Sequence, residues 1–137
     1  MGRDQEIWLL RIASILHDIG KIILPYEILT KPFKLSEREF ELVKEHPKYG
    51  YELLKDLDLP YPIKEVILQH HERLNGSGYP LGLKDDDILL EARIISVADS
   101  IEAMSSHRPY RARLSKEMIV DELKKYRGSY YDPQIVD

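Results

Sequence analysis

The chain has 137 residues, 43% of them hydrophobic, which is enough for a single domain with one buried core over residues 1–137. Its net charge of −4 excludes the broad basic surface that duplex nucleic acid requires, so no binding to duplex nucleic acid is predicted. The absence of cysteine excludes disulfides, thiolate zinc sites and cysteine nucleophiles, and it suits a cytoplasmic protein.

Helical patterns follow one another through the first half of the chain. The apolar residues between positions 7 and 16 are dense enough to predict a largely buried helix, which Gly20 is placed to end. Ser36 and Glu39 form a capping-box pattern and predict a short helix. Pro47, a residue type favoured in the first turn of helices, predicts another helix directly after it.

The second half of the chain also reads as helical, apart from one long loop. Pro62 predicts the first residue of a helix, whereas residues 74–86 hold three of the seven glycines and predict a structured loop. Apolar spacing predicts a long helix over 88–105, and a capped helix is predicted over 115–127 with Gly128 as its stop. Because the alternation typical of strands is absent, the predicted fold is all-α.

The sequence is expected to be a fragment of a longer protein. The apolar spacing of a helix is already present at Ile7. The pattern Asp132-Pro133, which is typical of a helix start, lies only a few residues before the end of the sequence. No apolar run approaches the roughly 20 residues that span a bilayer, and the first residues lack a signal-peptide pattern. No membrane segment is therefore expected in this chain.

Four of the five histidines lie next to acidic residues or next to each other, near predicted helix ends. They are found in His17-Asp18, His46 and His70-His71-Glu72. Asp99 interrupts an apolar helical run, where a carboxylate is costly to bury without a cation or hydrogen-bond partners. Because imidazole and carboxylate groups suit divalent metals that polarise phosphate, and adjacent ligands can reach two ions, the pattern predicts a two-metal site.

Each of these residues, taken alone, also has an ordinary structural interpretation. A histidine at a helix end, such as His46, is commonly a partner of the helix dipole. His70 can be a satisfied core residue, and Asp99 can be a buried carboxylate bonded to the backbone. The metal-site hypothesis therefore depends on the whole set of residues, and the set alone leaves its chemistry open.

Further motifs accompany these residues in order along nearly the whole chain. They are His17-Asp18-Ile19-Gly20-Lys21, His46-Pro47, His70-His71-Glu72-Arg73, Gly76-Ser77-Gly78-Tyr79-Pro80 and Arg108-Pro109-Tyr110-Arg111. Together they closely resemble the HD-GYP family, a branch of the HD phosphohydrolases. The resemblance implies an HD-type helical bundle that hydrolyses the bacterial second messenger cyclic di-GMP to linear pGpG or to GMP.

The same resemblance implies a centre of divalent metal ions, usually iron or manganese, with zinc as a third option. It implies six metal ligands, with Asp18 bridging two ions: His17, Asp18, His46, His70, His71 and Asp99. It assigns catalytic roles to Asp18 and to Lys21, whose ammonium would bind phosphate or donate a proton. It assigns substrate binding to Gly78, Tyr79, Arg108 and Arg111, with Gly78 expected to give the loop backbone freedom.

The chain departs from the family pattern at its start. The family's usual first helix, which carries an upstream histidine and in some members a glutamate, is expected to be lacking, so two metals are predicted and a third is not. Without that helix, Ile7, Trp8 and Leu10 should expose core surface, which favours a homodimer. The resemblance also implies contact between the Gly-Tyr-Pro loop and partner signalling domains, of the GGDEF type among others.

Three functions follow from these observations. The first is a cyclic di-GMP phosphodiesterase that serves as the output domain of a signalling protein. The second is another HD-type nucleotide phosphohydrolase, against which the Gly-Tyr-Pro loop and the arginines at 108 and 111 argue. The third is a catalytically impaired module that binds cyclic di-GMP or a signalling domain without turnover, as the missing first helix would favour.

Overall fold

A computed structural model of the chain describes residues 2–106 and 112–137, which form helices joined by turns and one long loop. The α-helices are α1 Arg3–Leu16, α2 Tyr26–Leu29, α3 Glu37–Val43, α4 His46–Leu54, α5 Ile63–Gln69, α6 Leu90–Ser105, α7 Lys116–Lys125 and α8 Pro133–Val136, and 3₁₀ helices span Ile19–Ile23 and Asp85–Asp87. Pairing of β type in the described residues is limited to isolated bridges. The all-α prediction is confirmed.

Helix α5 lies between α1, α4 and α6 and carries the centre of the core. Its residue Val66 packs with Ala13 of α1 on one side, and Ile67 packs with Leu9 of α1 and Leu54 of α4 on the other. Ile67 and Val66 are almost completely buried, with 0% and 1% of their surfaces exposed. Packing on both sides of α5 brings the ends of α1 and α5 together at one end of the bundle.

The beginning and end of α1 both differ from the prediction. The helix begins at Arg3 rather than at position 7, and Asp4 and Glu6 in its first turn complement the helix dipole. It ends at Leu16, four residues before Gly20. Gly20 instead lies in the 3₁₀ helix, where it is buried against α4. The prediction that Gly20 stops α1 is therefore wrong, because the glycine permits a close approach between two segments.

Helix starts elsewhere are shifted by one or two residues. The capping box of Ser36 is confirmed ahead of α3. Pro62 is the N-cap of α5 rather than its first helical residue. The long helix α6 starts at Leu90 rather than at position 88, because the backbone is extended at Ile88; the N–H of Leu89 donates to the side chain of Gln69 at 2.8 Å.

The last helices match the prediction in order and differ slightly in length. Ser115 caps α7 by accepting a hydrogen bond from the N–H of Met118, and the helix ends at Lys125. Gly128 follows with a φ of +83°, a left-handed conformation that suits glycine after a helix. The carboxylate of Asp132 both caps α8 and accepts a hydrogen bond from Arg93 at 2.6 Å. This bond fixes the chain terminus against α6.

The outer face of α1 is partly apolar, as expected. Ile7 and Trp8 are 51% and 49% exposed. Leu10 differs from the prediction, because it is half-buried against the core cluster of α1, α5 and α6. Among the described residues, no helix has both the length and the apolar character needed to cross a bilayer.

We predict that Gly20→Ala destabilises the fold. A methyl carbon at position 20 would lie 1.8 Å from the carbonyl oxygen of His46, so the 3₁₀ helix and α4 would have to separate, at a cost of about 1–3 kcal/mol or more. Chemical denaturation measures this cost. Gly2→Ala is the control, because an added carbon there meets nothing within 4 Å. Equal unfolding free energies for the two variants would contradict the prediction.

Candidate metal centre

Ends of three helices, and one position within a fourth, deliver the predicted ligands to one place. His17 directly follows α1, His46 is the first residue of α4, and His70 directly follows α5. The structure brings the six predicted ligands into two groups whose ligand atoms lie within 4.8 Å of one another. The groups are Asp18, His46, His70 and His71, and His17, Asp18 and Asp99.

Asp18 belongs to both groups because its two carboxylate oxygens lie toward different neighbours. Its Oδ1 atom is 3.2 Å from Nε2 of His46 and 3.7 Å from Nε2 of His70. Its Oδ2 atom is 3.2 Å from Nε2 of His17. On the far side of the second group, Asp99 lies 3.4 Å from Nε2 of His17 and 3.8 Å from Nε2 of His71. The division of the two Asp18 oxygens between the groups is the arrangement expected of a carboxylate that bridges two cations.

The helix ends themselves set the tautomer of three of the histidines. In each case Nδ1 lies against the backbone carbonyl three residues earlier, and since a carbonyl only accepts, Nδ1 carries the proton. The contacts are His17 to Ser14 at 2.5 Å, His46 to Val43 at 2.7 Å and His70 to Ile67 at 2.6 Å. In the neutral rings, each Nε2 atom therefore presents a lone pair to the site.

These donor atoms fit a divalent cation. Nε2 of His46 and Nε2 of His70 are only 3.2 Å apart, so in the neutral rings two lone pairs face each other. Among the described residues, Oδ1 of Asp18 is buried and receives no hydrogen bond. Two imidazole nitrogens and an anionic oxygen that converge in this way are complementary to a cation with mixed nitrogen and oxygen ligands.

The two groups differ in their electrostatic surroundings. Burial lowers the pKa of His70 and of His71, which keeps both rings neutral and ready to bind metal. Burial also lowers the pKa of His17, but the carboxylates of Asp18 and Asp99 outweigh it and raise that pKa to about 10. Burial raises the pKa of Asp18, yet contacts with three histidines outweigh burial and hold that pKa below its usual range.

Lys21 lies at the edge of this centre. Its Nζ atom is 3.5 Å from Oδ2 of Asp18, and its side chain is 40% exposed. It follows His17 through the 3₁₀ helix rather than through a continuous α-helix. The lysine also lines a cavity of about 420 Å³ above the centre, together with His46, His71 and Asp99.

The HD domain family profile matches residues 3–135. This chain belongs to the HD domain family. It is 43% identical to the cyclic di-GMP phosphodiesterase response regulator RpfG of Xanthomonas campestris, over 98% of this chain and 36% of that protein. It is 37% identical to a 3′3′-cGAMP-specific phosphodiesterase of Vibrio cholerae, over 98% of this chain and 26% of that protein.

The fold is shared with the HDGYP protein Bd1817 of Bdellovibrio bacteriovorus. The TM-score is 0.80 at 23% identity, over 98% of this chain and 43% of that one. The resemblance to HD-GYP proteins noted in the motifs is confirmed. The chain spans between about a quarter and about a third of the curated relatives described above. HD phosphohydrolases are metal-dependent, in agreement with the histidine and aspartate cluster.

The Gly-Tyr-Pro loop of the HD domain packs directly on the candidate metal centre. The ring of Tyr79 stacks on His71 with centroids 5.0 Å apart, and burial raises the pKa of Tyr79 to about 12. Gly78 does not have a positive φ, so its expected role in backbone freedom is wrong. A carbon added at Gly78 would lie 2.4 Å from the carbonyl oxygen of His71, so the glycine is needed for close packing.

Arg108 and Arg111, which were predicted to bind substrate, lie outside the described residues. Substrate contacts of Gly78 and Tyr79, and the ligand roles of the six clustered residues, stay predictions. What the structure provides is their placement. Tyr79 lines the cavity above the centre, whereas Gly78 is packed beneath it against the backbone of residues 71–73.

Glu72 has a role that the sequence analysis did not assign. Its side chain is only 2% exposed. The carboxylate accepts hydrogen bonds from the backbone N–H of Leu81 at 2.7 Å and of Leu83 at 2.9 Å. Because Glu72 directly follows His71, these two hydrogen bonds hold the loop next to His71. The available signal was a carboxylate directly before a glycine-rich loop, whose backbone donors need acceptors.

We predict that Glu72→Gln loosens this loop. An amide has one acceptor oxygen where the carboxylate has two, so one backbone N–H loses its partner, at a cost of about 0.5–1.5 kcal/mol for a partly buried bond. Hydrogen exchange should show faster exchange at the amides of Leu81 and Leu83. Asp121→Asn, at an exposed position on α7, is the control. Unchanged exchange at both amides in Glu72→Gln would refute the role of this carboxylate.

Proposed function

We propose that this chain is the catalytic domain of a metal-dependent phosphodiesterase that hydrolyses cyclic di-GMP. The observation that carries the proposal is the carboxylate of Asp18, which is shared between two groups of potential ligands. A site for adjacent cations is suited to phosphodiester hydrolysis, since it needs no protein nucleophile. The names of the relatives, both cyclic dinucleotide phosphodiesterases, support the substrate class.

The cofactors we propose are two divalent ions, iron or manganese in preference to zinc. His46, His70, His71 and Asp18 would hold one ion, and His17, Asp99 and Asp18 the other. Mixed nitrogen and carboxylate ligands without sulfur suit these metals. When bound, the ions supply an activated water and neutralise charge on the phosphate oxygens.

Phosphate binding, protonation of the leaving group and contacts with the rest of the substrate are assigned to side chains around the cavity. The ammonium group of Lys21 faces the same space as Asp18 and would bind a non-bridging phosphate oxygen or protonate the departing ribose oxygen. Tyr79, with a raised pKa, stays neutral and can donate a hydrogen bond to the substrate. Arg108 and Arg111 would bind the second phosphate or a guanine edge.

Cyclic GMP-AMP is the alternative substrate. One relative, 37% identical to this chain, is named for its specificity toward that molecule. Both substrates present two purines and two phosphodiesters, so the metal centre alone does not discriminate between them. Parallel assays with the two cyclic dinucleotides decide which one is preferred.

Partners and location follow from the same proposal. The exposed tip of the Gly-Tyr-Pro loop, where Leu81 is 58% exposed, is the proposed contact for a signalling domain of the GGDEF type or another class. The exposed residues Ile7 and Trp8 of α1 are the proposed contact in a homodimer. A cytoplasmic location is proposed because the substrate is an intracellular messenger.

We predict the metal content of three variants. Asp18→Ala should lose both ions, since both groups use this carboxylate, whereas His46→Ala and Asp99→Ala should each weaken one ion preferentially. Elemental analysis after dialysis at limiting chelator measures the ratio of metal to protein, with about two ions expected for the unmodified chain. The same loss of metal in all three variants, or none in Asp18→Ala, would contradict a shared carboxylate.

We predict that the chain, purified anaerobically with its metals, hydrolyses cyclic di-GMP. His17→Ala should abolish turnover, and Lys21→Met should lower kcat by about 10²–10⁴-fold, the usual contribution of a positioned acid, without lowering metal content. Lys124→Met, at an exposed site on α7, controls for loss of a positive charge. Two bound metals without turnover of either cyclic dinucleotide would reject the phosphodiesterase and favour a binding module.

A further inference from the structure

A second cavity adjoins the one above the metal centre. The second cavity, about 380 Å³, is lined by Lys34, Leu35, Ser36, Glu37 and Phe40. Leu35 and Phe40 also line the cavity of about 420 Å³ that contains Asp18 and Lys21. Both volumes lie within the range of ligand pockets. Phe40 therefore stands between the candidate metal centre and a neighbouring space lined by the first turn of its own helix and the segment before it.

The ring of Phe40 is exposed although it lies beside a polar centre. Nearly half of the residue, 46%, is accessible to solvent. A single exposed apolar residue is normal on a protein surface. The position of Phe40 is what distinguishes it, because a flat apolar ring on the wall of a ligand cavity gains free energy when another flat group covers it.

Helix α3 holds this ring in a defined place. Ser36 and Glu39 form a complete capping box at its start. The carboxylate of Glu39 also accepts a hydrogen bond from the ammonium group of Lys31. The helix start is thereby fixed just ahead of Phe40. A ring carried by a fixed helix meets the requirement that a binding surface is preorganised.

Lys44 connects Phe40 with the loop on the metal centre. Its Nζ atom lies 5.8 Å from the centroid of the Phe40 ring and 5.4 Å from that of Tyr79. Tyr79 in turn stacks on His71. One wall of the cavity thus runs from a metal ligand through two aromatic rings, with a cation between them. An apolar surface next to a positive charge is complementary to a purine attached to a phosphate.

We propose, on the basis of the phosphodiesterase function proposed above, that Phe40 is the stacking platform for a purine base of the cyclic dinucleotide. One phosphodiester lies at the metal centre, and the attached base covers the Phe40 ring next to Leu35. The ammonium group of Lys44 lies at the edge of that base. A phosphodiester without a base gains nothing from this wall, so Phe40 acts on specificity rather than on the chemical step.

The test compares substrates with and without a purine. Glycerophosphoglycerol, a phosphodiester without a flat group, and cyclic di-GMP are offered to the full chain with its metals and to Phe40→Ala, Phe40→Trp and Leu42→Ala. We expect Phe40→Ala to lower the ratio of kcat/KM for cyclic di-GMP to that for the small diester by about 5- to 150-fold, mostly through KM. Phe40→Trp restores the ratio. Leu42, equally exposed on α3 at 50%, is the matched control.

Equilibrium binding of cyclic di-GMP, followed by calorimetry, tests the platform without turnover. If the unmodified chain binds the ligand but hydrolyses neither diester, the proposed function fails, while weaker binding to Phe40→Ala still supports the platform. An equal loss with both diesters, unchanged affinity in Phe40→Ala, or no binding by the unmodified chain overturns the platform. Thermal unfolding of each variant separates loss of fold from loss of the ring.

Discussion

The carboxylate of Asp18, enclosed by three imidazole rings, is the interaction on which the rest of the site depends. Its Oδ1 atom is buried, receives no hydrogen bond from the described residues, and faces the Nε2 atoms of His46 and His70. Burying such a charge is costly unless a cation compensates it. The bundle brings the end of α1, the start of α4 and the end of α5 together at this point, and the close approach of Gly20 to His46 makes that meeting possible.

The two groups of predicted ligands orient their histidines through the same type of hydrogen bond, but they would offer a cation different environments. Proton donation from Nδ1 to a carbonyl three residues earlier orients His17, His46 and His70 alike. The deeper group presents three imidazoles and one carboxylate, and burial keeps the pKa values of His70 and His71 low. The outer group presents one imidazole and two carboxylates. The outer group is thus the harder set of ligands and the deeper group the softer one.

The walls of the cavity are tied to the same centre. Glu72 follows His71 and holds the backbone of the Gly-Tyr-Pro loop through two hydrogen bonds. Tyr79 rests on His71, and Lys44 lies near the rings of both Tyr79 and Phe40. A shift in the predicted ligands would therefore reach the surface that we propose for the base. In the function that we propose, reaction and recognition would share one set of contacts.

The sequence by itself determined the all-α class and the order of the longer helices, and it predicted which histidines and aspartates the fold brings together. Apolar spacing, the Ser36 capping box and a glycine after a helix are local signals, whereas the histidine and aspartate motifs gained a chemistry only through their resemblance to a family. Only the tertiary structure decided the roles of Gly20, Gly78 and Glu72 and the position of Phe40, where we propose a contact with a base. Each of these depends on contacts that local patterns do not specify. Gly20 and Gly78 each approach a backbone carbonyl too closely for a side chain, and Glu72 accepts from backbone donors nine and eleven residues away. Phe40 lies between two cavities. Periodicity and caps are decided within a few residues, whereas such contacts exist only once the helices have packed.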